Sequence, residues 1–206
     1  MLAASAAPCP ERLEAVTLTG RFIRLEPLDR SHVDDLTEVA LSEPNIWTWM
    51  PSRAASRADV EQIVDSAIAD RGEGLNFPFA VISLESGRAV GSSRYLDYRP
   101  AHRGIEIGWT WYAPAVWGSV VNPEAKLLLM RHAFETLGCM RVQLKTDARN
   151  LRSRAAIRKL GAQEEGILRK HMLVRGTVIR DSAYFSVVDE EWPAVEAGLQ
   201  ARLASG

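Results

Sequence analysis

Three short stretches carry residue types that could do chemistry. The first is Trp117-Gly118-Ser119-Val120-Val121-Asn122-Pro123-Glu124-Ala125-Lys126, a glycine-containing loop that runs into a helix. Asn122 suits the N-cap, where its side chain accepts from an unpaired amide, and Pro123 suits the first turn, where a missing N–H costs nothing. Leu127, Met130, Phe134 and Leu137 then recur at helical spacing and give the helix a buried face. Free amides and the positive end of the helix dipole would meet at one point, a natural place for a phosphate. An ordinary strand–helix connection has the same appearance. The loop has neither the Gly-Lys-Ser/Thr ending nor the G-x-G-x-x-G spacing of the strong phosphate signatures.

The second stretch, Gly104-Ile105-Glu106-Ile107-Gly108-Trp109-Thr110-Trp111-Tyr112, alternates like a strand and precedes the loop. Glu106 is its only acid. Period-two alternation puts Glu106 on a face with Gly108 and Thr110, opposite Ile105, Ile107, Trp109 and Trp111. Small neighbours leave room for a substrate, and burial would push the carboxyl up into the range of a useful base. A salt bridge to Arg103 or Arg141 is the structural alternative. In the third stretch Asn150 opens a helix that closes at Gly161. Ser153, one turn in, shares a face with Ala156, Ile157 and Leu160. Capping of the first turn explains Asn150 and Ser153 as well as catalysis does.

The elements that must position these residues read as follows. Gly20 to Leu28 alternates as a strand, and Ser31 can cap a helix running to about Leu41. A loop with Trp47, Trp49, Met50 and Pro51 leads to a helix near Arg57 to Asp70. Phe77–Leu84 and Ala89–Tyr95 form a hairpin, and the Glu106 strand and the loop–helix follow. Met140–Thr146 is a strand, the Asn150 helix comes next, and strands Ile167–Val174 and Val178–Val187 turn at Arg175-Gly176. Pro193 starts a last short helix. Hairpins mixed with crossovers imply a mixed, twisted sheet with helices on both faces.

The 206 residues fit one domain, read here as 17–206 behind a loose tail, 1–16. With 47% hydrophobic and 25% charged residues, the composition is that of a globular protein without a membrane-spanning run. Cys9 and Cys139 are far apart in sequence, and a buried thiol at Cys139 with a cytoplasmic location is the expectation. A net charge of −1 gives no global reason for nucleic-acid binding, and no aromatic stacking pattern accompanies the charges. From Arg141 to Lys170, however, nine basic residues stand against three acidic ones, which suits a small anionic ligand as much as a solvated face. His32, His102, His132 and His171 have no metal-ligand spacing and read as structural or surface residues; no metal is expected.

The element order, the Gly20–Leu28 strand, the Trp117-Gly118 loop with Glu124-Ala125-Lys126, Thr146-Asp147-Ala148-Arg149-Asn150-Leu151-Arg152-Ser153 and Ile157-Arg158-Lys159-Leu160-Gly161 together resemble the GNAT superfamily of N-acetyltransferases. The similarity is greatest to the ribosomal-protein N-terminal (Rim-type) branch and covers about Leu18 to Trp192. The resemblance implies an α/β fold with a mostly antiparallel, seven-stranded sheet splayed near its centre and helices on both faces. It also implies acetyl transfer from acetyl-CoA to a primary amine (a protein N-terminus or a small amine) by direct attack in a ternary complex. The pantetheine arm would lie along Trp109 to Tyr112, with Trp111 and Tyr112 in contact. The pyrophosphate would sit on the amides of Gly118, Ser119, Val120, Val121 and Asn122, beside Trp117. Asn150 and Arg154 would hold the cofactor from the next helix, with Arg158 and Lys159 as further candidates. Glu106 would take the amine's proton and Ser153 would protonate the thiolate, with Tyr184 in reserve. The Trp47/Trp49 loop would wall the acceptor site or form core or a dimer contact, and a homodimer fits the same aromatic exposure. Against the family loop, Gln/Arg-x-x-Gly-x-Gly/Ala, this chain has Ala115 and Val120, and a branched Val120 would disfavour positive φ. That departure motivates the alternatives: a non-catalytic acyl-CoA- or partner-binding protein, or a transferase of a longer acyl group such as succinyl.

Overall fold

The computed structural model describes residues 9–205, a single eight-stranded sheet with helices on both faces. In chain order the strands are β1 (Leu18–Thr19), β2 (Ile23–Pro27), β3 (Asn76–Ser83), β4 (Ala89–Arg99), β5 (Gly104–Tyr112), β6 (Arg141–Asp147), β7 (Gln163–Val174) and β8 (Val178–Val188). The helices are α1 (Val33–Ser42), α2 (Arg57–Gly72), α3 (Val121–Arg131), α4 (Leu151–Lys159) and α5 (Trp192–Ala204). Across the sheet the order is β1-β2-β3-β4-β5-β6-β8-β7, antiparallel throughout except for β5 beside β6. The strand count is eight rather than seven because the chain before Gly20 adds the two-residue β1 to the β2 edge. Two of the helices also differ from expectation. Asp29, not Ser31, caps the turn before α1, accepting from Ser31 N at 2.8 Å, and α5 runs for 13 residues instead of being short.

Two cores sandwich the sheet. Leu129 and Met130 of α3, Ile157 of α4 and Leu199 of α5 meet Ile105, Val142 and Phe185 on one face. Leu36 of α1 and Val60 and Val64 of α2 meet Ala80, Ile82 and Trp111 on the other. Residues 1–8 of the expected tail lie outside the described residues. From Cys9 onward the segment packs against the first core through Cys9, Leu13 and Val16. Cys9 and Cys139 are both free and buried. Among the described residues, no helix is long and apolar enough to cross a membrane.

Candidate active site

The sheet splays at β5 and β6. These strands pair only over Gly104–Glu106 against Arg141–Gln143. Beyond that point β5 continues on β4 to Tyr112 and β6 continues on β8 to Asp147. The edge of β5 from Ile107 to Tyr112 is therefore turned to a cleft of about 300 Å³ rather than to a neighbouring strand. Across the cleft stand Leu144 to Thr146, with Asn122 and Lys126 of α3 below and Asn150, Arg152 and Ser153 at the start of α4. An edge of unpaired backbone groups beside an open cleft can take an extended, amide-bearing chain as an added strand.

A bulge divides β5. Ser92 pairs with Trp111 and Arg94 with Gly108, so Trp109 and Thr110 together oppose Ser93. Trp109 has φ +48°, a left-handed conformation rarely adopted by so bulky a residue. The Arg94 guanidinium stacks on its ring at 4.4 Å. The bulge corrects the expected alternation. Ile105, Ile107 and Tyr112 face the α3 core, whereas Trp109 and Trp111 join the α1–α2 core. Thr110 bonds Lys126 on the α3 side, away from Glu106.

The loop before α3 has the geometry of an anion site. Gly118 lies at φ +76° with open space where a Cβ would stand, so glycine is required by conformation rather than crowding. Val120 has φ −71°, so the strain anticipated for its branched side chain does not arise. The expected N-cap at Asn122 is corrected. The helix begins at Val121, Val120 occupies the cap position with no side-chain bond, and Asn122 lies inside the first turn, lining the cleft. Without a capping side chain, the amides of Gly118, Val120 and Asn122 have no partner among the described residues. Ser119 closes the turn through its hydroxyl on the Val116 carbonyl. Trp117 anchors its indole N–H on the Tyr112 carbonyl, with the Arg152 guanidinium 4.3 Å above its ring.

At the narrow end of the splay Glu106 is almost wholly buried, at 1% exposure. Its Oε2 accepts from Gln143 Nε2 and from Lys145 Nζ, both at 2.9 Å. The ion-pair partner is thus Lys145, not Arg103 or Arg141. Oε1 takes no hydrogen bond among the described residues and lies 3.1 Å from where a Cβ on residue 108 would be. Gly108 lines the cleft and Glu106 does not, and the missing side chain at 108 leaves that oxygen just behind the cleft wall. Tyr184 pairs with Lys145 across β8, and its hydroxyl bonds His171 Nε2 at 3.0 Å, while Ser182 Oγ meets His171 Nδ1 at 3.0 Å. Burial, then the charges of Lys145 and Arg180, hold His171 below its usual range, which keeps it neutral.

Asn150 caps α4 as expected, its side chain accepting from Ser153 N at 3.0 Å, and both residues line the cleft. Arg154 does not. Its guanidinium is tied to the Ala148 carbonyl and to Glu164, and Arg152 reaches the cleft instead. Arg158 also pairs with Glu164. Trp47 and Trp49 separate: Trp47 is core, donating to the Ala40 carbonyl and packing on Trp111 at 5.1 Å, while Trp49 walls the cleft.

Lys126 was not singled out from sequence, yet it lines the cleft at 5% exposure. Its Nζ donates to Thr110 Oγ1 at 2.8 Å and Ser93 Oγ at 3.2 Å, with no carboxylate partner among the described residues. Desolvation pulls it down to about 7. The unfolded ammonium releases its proton near 10.4. Between about 7 and about 10.4 the unfolded chain holds a proton that the folded chain has lost, so this group makes stability rise with pH across that window. Below about 7 the burial penalty is present in full. Lys126→Met is therefore expected to stabilise the protein at pH 7 by roughly 2–3 kcal/mol and to flatten the rise towards pH 10. Urea midpoints at both pH values check this; parallel wild-type and variant curves would refute it.

These features define an acyl-transferase architecture: a splayed sheet, an amide-rich loop at a helix start, and a buried carboxylate at the narrow end. Residues 23–163 match the family model of the acetyltransferase (GNAT) domain. The chain is similar to a GCN5-related N-acetyltransferase from Brucella melitensis, with 34% identity, a TM-score of 0.89, and coverage of 97% of this chain and 90% of that one. It is 34% identical over 109 residues to YdaF of Bacillus subtilis, whose name assigns it provisionally to ribosomal N-acetylation; the match spans 53% of this chain and 58% of that protein. Mycobacterium smegmatis RimJ, solved with CoA-disulfide, shares the fold at 22% identity and TM-score 0.76, over 91% of this chain and 93% of its own. The chain belongs to the GNAT acetyltransferases and is an acyltransferase, and its relatives include Rim-type proteins.

Proposed function

We propose that the protein transfers the acetyl group of acetyl-CoA to the primary amine of a protein N-terminus or small molecule, by direct attack in a ternary complex. The supporting observation is the continuity of the cleft. It runs from the unpaired amides of Gly118, Val120 and Asn122, along the free β5 edge, to Gly108, whose missing side chain leaves Glu106 Oε1 just behind the cleft wall. In this reading the loop amides and Arg152 hold the pyrophosphate, with the helix dipole adding to their attraction. The β5 edge pairs with the pantetheine amides beside Trp111 and Tyr112. Glu106, ion-paired through Oε2 with Lys145, takes the amine's proton through Oε1, and Ser153 or Tyr184 returns a proton to the departing thiolate. Trp49 and Met50 form the acceptor wall.

The first test is thermal unfolding with and without acetyl-CoA. At about a hundredfold excess over Kd, binding should stabilise the protein by roughly 2.7 kcal/mol, on the order of 5–10 °C. Amine-dependent release of free thiol should follow across a panel of N-terminal peptides and small amines. A thermal shift without thiol release from any amine would favour the non-catalytic alternative, and no shift would remove the cofactor assignment.

A further inference from the structure

Two lysines of the protein line the cleft: Lys145, which is ion-paired with Glu106, and Lys126, which has no carboxylate partner among the described residues. Lys126 lines the same cleft as Asn122, Trp111 and Ser153, and its Nζ is held beside the β5 bulge against Thr110, itself a cleft residue. A neutral amine has two N–H groups and one lone pair. Thr110 Oγ1 and Ser93 Oγ can accept both N–H bonds, an arrangement that leaves the lone pair uncommitted. The two hydroxyls also bond each other at 2.8 Å, which fixes the acceptors that hold the nitrogen. A desolvated lysine with no carboxylate beside it is the environment in which an amine becomes a nucleophile.

We propose that Lys126 is an internal acyl-acceptor site, modified when an acyl-CoA occupies the cleft and no external amine does. Nζ attacks the thioester carbonyl, a C–N bond forms and the C–S bond breaks. The nitrogen's proton passes to the leaving thiolate, giving an amide on Lys126 and free CoA. The amide can no longer be protonated and adds its acyl group to the cleft, so the modified chain should bind further acyl-CoA less well. This proposal rests on the acetyl-CoA reading above.

The sequence makes the test simple, because the chain has only four lysines: Lys126, Lys145, Lys159 and Lys170. The protein is incubated with acetyl-CoA at pH 8 without an amine, and acetylation of each lysine is followed by peptide mass spectrometry. The thermal shift by acetyl-CoA is recorded on the same sample. At that pH the neutral fraction of Lys126 exceeds that of an ordinary lysine roughly two-hundredfold, so its acetylation should run well ahead of Lys159 and Lys170. The thermal shift should diminish as acetylation proceeds. Lys126→Arg should show neither the label at position 126 nor the progressive loss of shift. A full thermal shift with Lys126 unmodified, or modified no faster than Lys159, overturns the proposal and leaves the cofactor reading intact. Absence of both shift and label overturns the two together.

Discussion

Glu124→Ala is expected to lower stability by about 3–5 kcal/mol, on the order of 10 °C in Tm. The carboxylate sits in the first turn of α3 at 2% exposure. Its Oε1 accepts from Arg21 N at 2.7 Å, and its Oε2 accepts from Phe22 N and Ile23 N, both at 2.8 Å. Three amides at the start of β2 therefore depend on one side chain, and each bond is charge-assisted. Gly20 makes the space: a Cβ there would lie 2.5 Å from the carboxyl carbon. Alanine at 124 leaves three donors without a partner and unties the start of α3, and with it the amide loop, from the sheet. Glu124→Gln should fall between, because its oxygen can still serve Phe22 and Ile23 while its NH₂ would face the Arg21 N–H. Chemical unfolding of the three proteins checks the order. An alanine variant within about 1 kcal/mol of wild type would mean that water replaces the carboxylate.

The distinction between legible and hidden parts of the site follows from the range of the interactions. Gly118, the Asn150 cap and the glycine after α4 obey local backbone rules, and the sequence reads them correctly. The turn at Arg175-Gly176 is local in the same sense, with both residues at positive φ. The bulge at Trp109 is not: Gly108 stands beside it, but a glycine inside a strand does not say which residue is skipped, and period-two counting has no means of skipping one. One bulge transferred two tryptophans to the opposite core and parted Thr110 from Glu106. Arg154 and Arg152 show the helical counterpart. Two residues at about 100° each turn a side chain to the far side of a helix, so an uncertain phase selects the wrong arginine. Lys126 and Glu124 were hidden for a third reason. Burial of a charge depends on partners more than 15 residues away, and a helical pattern of apolar residues says nothing about which charged residue lies beneath the sheet.

Glu106→Gln is expected to reduce kcat by about 10²–10⁴ while leaving the acetyl-CoA thermal shift unchanged. The geometry separates catalysis from support within this one carboxylate. Oε2 has the structural part, receiving Gln143 and Lys145, and Oε1 alone is free to receive a proton from an amine. Glutamine can keep an oxygen towards Gln143 and Lys145, so the sheet around β5 and β6 should survive. Its NH₂ then occupies the Oε1 position, where it donates instead of accepting. A base role thus predicts a loss confined to turnover, with an unfolding midpoint close to wild type. A structural role predicts the reverse: a lowered midpoint with turnover retained by the folded fraction. If kcat stays within about threefold of wild type, deprotonation belongs elsewhere. His171 is then the first group to replace, because burial keeps it neutral and its bond to Tyr184 connects it to the residue paired with Lys145.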